Sequence, residues 1–78
     1  MSIDKLFENI TREGFTARKV DLFTGTENNR PGIMVSHNYE GTWPTPETWR
    51  AFYRIQKLAR AAGFQSEERG YFTATLIW

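Results

Sequence analysis

Few residues in this chain are of the types that carry out catalysis. The sequence contains one histidine, His37, and no cysteine, so cysteine nucleophiles and thiolate metal sites are excluded. His37 lies in a segment of alternating apolar residues, and its neighbour Ser36 is predicted to point to the opposite face of the same strand. That divergence argues against a serine–histidine pair. We interpret His37 as a partly buried, hydrogen-bonded histidine.

The sequence lacks the residue patterns that metal binding, phosphate binding or glycoside hydrolysis would require. One histidine among scattered carboxylates gives no ligand spacing for a metal ion. Residues 24–32, TGTENNRPG, have neither the lysine nor the strand-loop-helix context of a phosphate-binding loop. Glu67 and Glu68 are adjacent and diverge in direction on a strand, unlike a glycosidase carboxylate pair. The sequence therefore predicts a non-enzymatic protein without cofactor or metal, and only a perturbed His37 in a real pocket would favour an enzyme.

The strongest indication of a binding function is a row of basic residues in the second half of the chain. Residues 46–62 include four basic residues and one acidic residue, although the whole chain carries a net charge of only +1. The basic residues recur at spacings of four, three and three, so they share one face of a helix. Arginine, tyrosine and tryptophan are enriched at protein-interface hot spots. The predicted partner-binding residues are Trp43, Arg50, Tyr53, Arg54, Lys57 and Arg60.

The same residues allow other interpretations. A basic row is also typical of a solvated helix face whose arginine stems cover apolar neighbours. It fits a small nucleic-acid-binding module as well, although no recognisable nucleic-acid motif accompanies it. Trp43 precedes Pro44 outside the helix, so its ring either packs onto the first helical turns or stands exposed. A protein partner is predicted first, with a nucleic-acid-binding module or a self-associating interaction subunit as the alternatives.

Hydrophobic periodicity and capping residues predict the elements that position these side chains. The first helix begins after Ser2 and ends at Gly14. The second begins at Pro46, with Thr45 as its N-cap, and ends near Ala62. The predicted strands are residues 15–23, 33–39 and 71–78, with residues 64–70 as either a further short strand or a loop.

The order α-β-β-α-β, with or without a fourth strand, predicts a two-layer α+β sandwich. Two apolar helix stripes are buried when both helices pack on one face of an antiparallel sheet of three or four strands. In the first strand the apolar parity slips between Ala17 and Val20, which predicts a bulge or a two-sided strand. The predicted core face of the second helix is Trp49, Phe52, Ile55, Leu58, Ala59 and Ala62. The predicted outer sheet face, a candidate surface for self-association, is Tyr71, Thr73, Thr75 and Ile77.

Length and composition limit the class of protein. A chain of 78 residues is predicted to form one domain, residues 1–78. A mean hydropathy of −0.56 argues against a membrane protein, and no apolar run approaches the ~20 residues that span a bilayer. The N-terminal segment lacks the apolar core of a signal peptide, and the absence of cysteine fits a reducing compartment. These features predict a cytoplasmic monomer or weak homodimer.

In its small size, lack of cysteine and lack of a catalytic motif, the chain resembles the small phage-encoded inhibitors of the anti-CRISPR kind. This resemblance implies a single α+β domain that binds a subunit of a host nucleic-acid-targeting complex. Such binding would block the DNA binding of the complex or its recruitment of a nuclease. The near-neutral charge differs from that of the acidic, DNA-mimicking members, which implies steric or allosteric occlusion. The resemblance assigns no role to any residue.

Overall fold

The chain folds into two α-helices and a four-stranded antiparallel sheet, which confirms the predicted α+β sandwich with both helices on one face. The computed structural model describes residues 1–23, 29–37 and 44–78. The elements are α1 (Ile3–Arg12), β1 (Thr16–Phe23), β2 (Asn29–Ser36), α2 (Pro46–Ala61), β3 (Ser66–Arg69) and β4 (Ala74–Ile77). The strands are arranged in the order β1-β2-β4-β3. No helix in the described ranges is long and apolar enough to cross a lipid bilayer.

Side-chain caps begin both helices at the predicted residues. The Ser2 hydroxyl accepts a hydrogen bond from the backbone N–H of Lys5 at 3.1 Å. At α2, the Thr45 hydroxyl accepts from the N–H of Thr48 at 3.2 Å, and the Thr48 hydroxyl accepts from the N–H of Thr45 at 3.3 Å. This reciprocal capping box satisfies amide groups that have no partner inside the helix. Pro46 fits the first helical position because its missing N–H is one of those groups.

One cluster of buried side chains joins both helices to the two central strands. Its fully or almost fully buried members are Leu6, Ile10, Ile33, Val35, Ile55, Ala59 and Ile77. On α2 the buried stripe begins at Thr48 and continues through Phe52, Ile55 and Ala59. Trp49 is 36% exposed, so the prediction that it belongs to the core was wrong. The next residue of a helix lies about 100° further round, and since Thr48 points into the core, Trp49 lies at its margin.

The prediction for the outer sheet face was also wrong, because Thr75 and Ile77 are fully buried. They pair directly with Val35 and Ile33 of β2, which belong to the core. Side chains opposite each other on antiparallel strands point to the same face, so Thr75 and Ile77 face the helices. The other sheet face carries Ala74 and Leu76 instead. Because β4 carries apolar residues on both faces, the sequence pattern did not reveal which face meets the helices.

β2 begins earlier than predicted, since residues 29–32 form part of the strand and not of the preceding loop. The N–H of His37 donates to the carbonyl of Thr73 at 2.8 Å. The backbone polar groups of successive residues point to opposite sides of a strand. Those of residues 35, 33 and 31 therefore point toward β4, like those of His37. The pairing of β4 with β2 ends at Ile33, so this ladder requires no N–H from Pro31. Pro31 is therefore compatible with the strand.

β1 and β2 are antiparallel, as predicted for the strands of the sheet, with one-to-one pairing from Thr16↔Ser36 to Phe23↔Asn29. This continuous register excludes the bulge, so β1 is a strand with mixed faces. Ala17 and Lys19 lie on the helix-bearing face because they pair with Val35 and Ile33. The predicted extension of β2 to residues 38 and 39 lies outside the described residues.

Candidate functional site

Four aromatic rings from α2 and from the turn between β3 and β4 form a partly exposed cluster, which we call the aromatic patch: Trp49, Phe52, Tyr53 and Phe72. The rings of Trp49 and Phe72 have centroids 4.2 Å apart, and Phe52 meets Phe72 edge-on at 4.9 Å. Phe52 is buried beneath, whereas Tyr53 is 57% exposed. The cluster therefore has a buried base and an outer surface of Trp49 and Tyr53.

An unusual turn places Phe72 in this patch. Gly70, Tyr71 and Phe72 have φ angles of +59°, +53° and +68°, in the left-handed region that side-chain-bearing residues seldom adopt. Hydrogen bonds hold the turn, since the Glu68 carboxylate accepts from the N–H of Phe72 at 3.0 Å and the N–H of Thr73 donates to the Gly70 carbonyl at 3.1 Å. Strained conformations persist where their surroundings enforce them, and they concentrate at functional sites.

The sequence predicted residues 64–70 as either a short strand or a loop and gave no indication that Phe72 belongs to the site. The alternating pattern of residues 71–78 suggested a strand, whereas the ladder begins only at Ala74. The two residues with positive φ are aromatic, and such residues give no sequence signal for a left-handed turn. The contacts of Phe72 with Trp49 and Phe52 show that the turn and the helix share a surface.

The structure exposes all five of the predicted partner-binding residues that it describes. Arg50, Tyr53, Arg54, Lys57 and Arg60 are exposed on α2, and Tyr53 joins them to the aromatic patch by stacking on Trp49, with centroids 6.1 Å apart. The sixth, Trp43, lies outside the described residues. Residues three or four apart on a helix are neighbours, so Tyr53 has Arg50 on one side and Lys57 on the other.

Arg54 differs from the other basic residues because it has an intramolecular partner. Its Nε and Nη2 donate to Oε1 of Glu13 at 3.1 and 2.5 Å. Arg50, Lys57 and Arg60 form no salt bridge within the described part of the chain. Hydrogen bonds from its own backbone and from Thr45 lower the pKa of Glu47, and the charge of Arg50 adds to this effect. Within the basic row of α2, Lys57 and Arg60 are thus the positive charges most available to a partner.

His37 lies in a shallow cleft of about 400 Å³ at the junction of β2 and α2. Its Nε2 lies 2.6 Å from the Thr75 hydroxyl, and burial lowers the pKa of the imidazole. Its Nδ1 is buried without a hydrogen-bond partner among the described residues. The prediction of a partly buried, hydrogen-bonded histidine is therefore confirmed.

An enzyme using this cleft would need a free hydroxyl nucleophile, an oriented histidine or a metal site. The hydroxyls of Thr45 and Thr48 line it, but both take part in the capping box. Among the described residues, no carboxylate hydrogen-bonds to His37 to orient it. Nor do these residues include a group of three or more side chains able to hold a metal ion. This cleft is a weaker candidate than the aromatic patch.

No protein-family model, curated protein or solved structure matches the chain.

Proposed function

We propose that this chain is a non-enzymatic, cytoplasmic inhibitor that binds a protein through the aromatic patch and the adjoining basic row of α2. The observation that carries the proposal is the exposure of Trp49 and Tyr53, at 36% and 57%, beside Lys57 and Arg60, which form no salt bridge among the described residues. Tryptophan, tyrosine and arginine are the residues most enriched at interface hot spots. The partner that we propose is a subunit of a host nucleic-acid-targeting complex, by resemblance to the anti-CRISPR inhibitors.

The packing beneath the patch supports binding because it fixes the exposed rings before a partner arrives. Trp49 rests on Phe72, and Tyr53 lies 5.5 Å from the buried ring of Phe52. Side chains that are already ordered lose little conformational entropy on binding, which otherwise amounts to about 0.5–1.5 kcal/mol for each immobilised side chain. A rigid, partly apolar surface of this kind favours a folded protein partner.

The charge beside the patch indicates an acidic partner surface. Residues 46–62 carry four basic residues and one acidic residue, and Arg54 is already paired with Glu13. The remaining cations would attract a negative surface and orient it on approach, which raises association rates more than final affinity. This local charge is compatible with the near-neutral whole chain, because it is offset on other surfaces.

A target-DNA binding assay with purified CRISPR effector complexes tests the proposal. The chain should inhibit at least one complex, and Tyr53→Ala and Lys57→Glu should each weaken inhibition about tenfold or more, as expected for hot-spot residues. Arg18→Glu is a matched charge reversal on β1, and it should leave inhibition unchanged. Absence of inhibition across effector types would refute the anti-CRISPR assignment, and equal effects of Lys57→Glu and Arg18→Glu would refute the surface.

The basic row also favours a second candidate, a small nucleic-acid-binding module. Titration against duplex and single-stranded DNA at two salt concentrations distinguishes the two, because phosphate contacts make affinity fall steeply with salt. Against this candidate, the Trp49 ring is already in contact with Phe72 and Tyr53, which leaves less of it for base stacking. Binding at low salt that Lys57→Glu abolishes would support the module, and no binding at low salt would eliminate it.

A further inference from the structure

β1 presents a long strand edge at one side of the sheet. It comes first in the order β1-β2-β4-β3 and pairs with β2 along all eight of its residues. The other edge strand, β3, has four residues, SEER, and such short, highly charged edges are protected against further pairing. β1 is therefore the edge at which another strand could add.

The backbone direction of β1 follows from the hydrogen bonds of β2. Residues 31, 33 and 35 of β2 direct their backbone groups toward β4. They therefore form non-hydrogen-bonded pairs with the residues opposite them on β1. These partners are Asp21, Lys19 and Ala17. Their N–H and C=O groups consequently point outward from the edge. No backbone hydrogen bond to another described element occupies them.

We propose that β1 pairs antiparallel with β1 of a second copy, about a two-fold axis at Val20, to form a continuous eight-stranded sheet. A two-fold axis perpendicular to the sheet keeps each residue on its own face. An axis at residue 18, 19 or 21 would place arginine opposite arginine, lysine opposite lysine or aspartate opposite aspartate. Directly opposed like charges are destabilising, which disfavours all three registers.

In the register centred on Val20, Lys19 of each copy instead lies opposite Asp21 of the other copy. The two-fold symmetry produces two such pairs. Both residues lie on the helix-bearing face, because they pair with Ile33 and Pro31 of β2. Asp21 forms no ion pair among the described residues. Lys19 contacts Asp4 at 2.5 Å, and its ammonium group has three donors, so it can bridge Asp4 and Asp21 of the second copy. The charge pattern of the edge is thus self-complementary.

Val20 would meet Val20 of the second copy at the centre of this interface. Its backbone groups point inward to β2, so the new pair is of the non-hydrogen-bonded type, with a Cα–Cα distance of about 4.5 Å. Both valines lie on the sheet face away from the helices. A single strand pair buries less than the roughly 1,200 Å² typical of stable complexes, so the dimer should form only at high protein concentration.

Cysteine cross-linking tests the register, because the natural chain contains no cysteine. A Cα–Cα distance of about 4.5 Å falls within the range that a disulfide bridges, so Val20→Cys should form a disulfide-linked dimer in an oxidising buffer. Arg18→Cys is the matched control on the same face. In the proposed register its Cα atoms lie about 13 Å apart along the strand, so it should cross-link at least tenfold more slowly. Equal rates for the two variants would overturn the register.

Sedimentation equilibrium over a wide concentration range tests the dimer without a cross-link. The average mass of the natural chain should rise with concentration, and that of Asp21→Glu should rise in the same way. Asp21→Lys places a lysine opposite Lys19 of the other copy, so this variant should remain monomeric. A natural chain that stays monomeric at the highest concentrations would overturn the proposal, as would an Asp21→Lys variant that associates normally.

Discussion

The guanidinium group of Arg54 connects the middle of α2 to Glu13, the residue that caps the C-terminus of α1. The two residues are 41 positions apart in sequence, and the Glu13 side chain is only 31% exposed in its place against α2. The ion pair therefore contributes to how the two helices are oriented on the sheet. Although Arg54 belongs to the basic row by its spacing, this contact gives it a structural role.

Arg54→Ala and Glu13→Ala should each lower the free energy of unfolding by about 0.2–1 kcal/mol, the range measured for exposed ion pairs. Urea denaturation of the single and double variants measures the effect. The double variant should lose little more than either single variant, because each removes the same contact. High salt should reduce the differences, since screening weakens exposed pairs. Fully additive losses would show that the two residues act independently.

Tyr53 and Phe52 are neighbours with opposite surroundings, so the same change should affect them differently. Phe52 is 9% exposed, and Phe52→Ala should destabilise the fold by about 3–5 kcal/mol through the cavity it leaves. Tyr53→Ala should cost less than about 1 kcal/mol, because the ring is largely solvated. Thermal unfolding of the two variants measures this contrast. A large loss for Tyr53→Ala would make it unsuitable as a variant for binding assays.

Local signals in the sequence predicted the features of this fold that depend on neighbouring residues. Ser2 and Thr45 cap the helices because a hydroxyl at that position reaches an amide two or three residues ahead. The antiparallel pairing of β1 with β2 followed from a segment rich in aromatic and β-branched residues and an alternating segment, separated by a turn-rich stretch. These outcomes needed no knowledge of distant contacts.

Features that depend on distant contacts were not predictable in the same way. Thr75 is buried because it pairs with Val35 and hydrogen-bonds to His37, two residues far away in sequence. Trp49 is exposed because the face of α2 that packs against the rest of the fold carries Thr48 and not Trp49. The aromatic patch was found only in part, since Phe72 reaches it through a turn with no sequence signal.

The stability of the fold should depend on the protonation of His37. Burial lowers its pKa below the 6.5 of an unperturbed histidine, so just below pH 6.5 the unfolded chain binds more protons than the folded chain. The free energy of unfolding should therefore be highest above pH 6.5 and should decrease as the pH falls toward the folded pKa. Thermal unfolding between about pH 7.5 and pH 5.5, above the range of ordinary carboxylates, measures this.

His37→Gln provides the control for this pH dependence, because glutamine keeps a polar side chain but does not titrate. The variant should be less stable than the natural chain at neutral pH, but its melting temperature should change less across the same interval. A natural chain and a variant with parallel pH profiles would show that other groups cause the dependence.

Thr75 should be sensitive to replacement because its hydroxyl is the partner of His37 in a fully buried position. Thr75→Val keeps the shape but leaves Nε2 of His37 without that partner, which should cost about 1–3 kcal/mol. Thr75→Ser keeps the hydroxyl and removes one methyl group, so its loss should be about 1 kcal/mol. Denaturant titration of both variants measures the difference. A valine variant as stable as the natural chain would mean that the hydrogen bond contributes nothing.

Gly70 should tolerate no side chain, because a Cβ atom there would lie 2.5 Å from the Thr73 hydroxyl. Gly70→Ala adds this clash to the left-handed conformation at φ +59°, which alone costs roughly 1–2 kcal/mol in a residue other than glycine. Thr73→Ala in the same chain removes the clash but not the conformational cost. The double variant should therefore recover part of the lost stability, and it should restore the contact between Phe72 and Trp49. Denaturation of the two single variants and the double variant measures the coupling, and a strictly additive result would mean that the Thr73 hydroxyl rotates away at no cost.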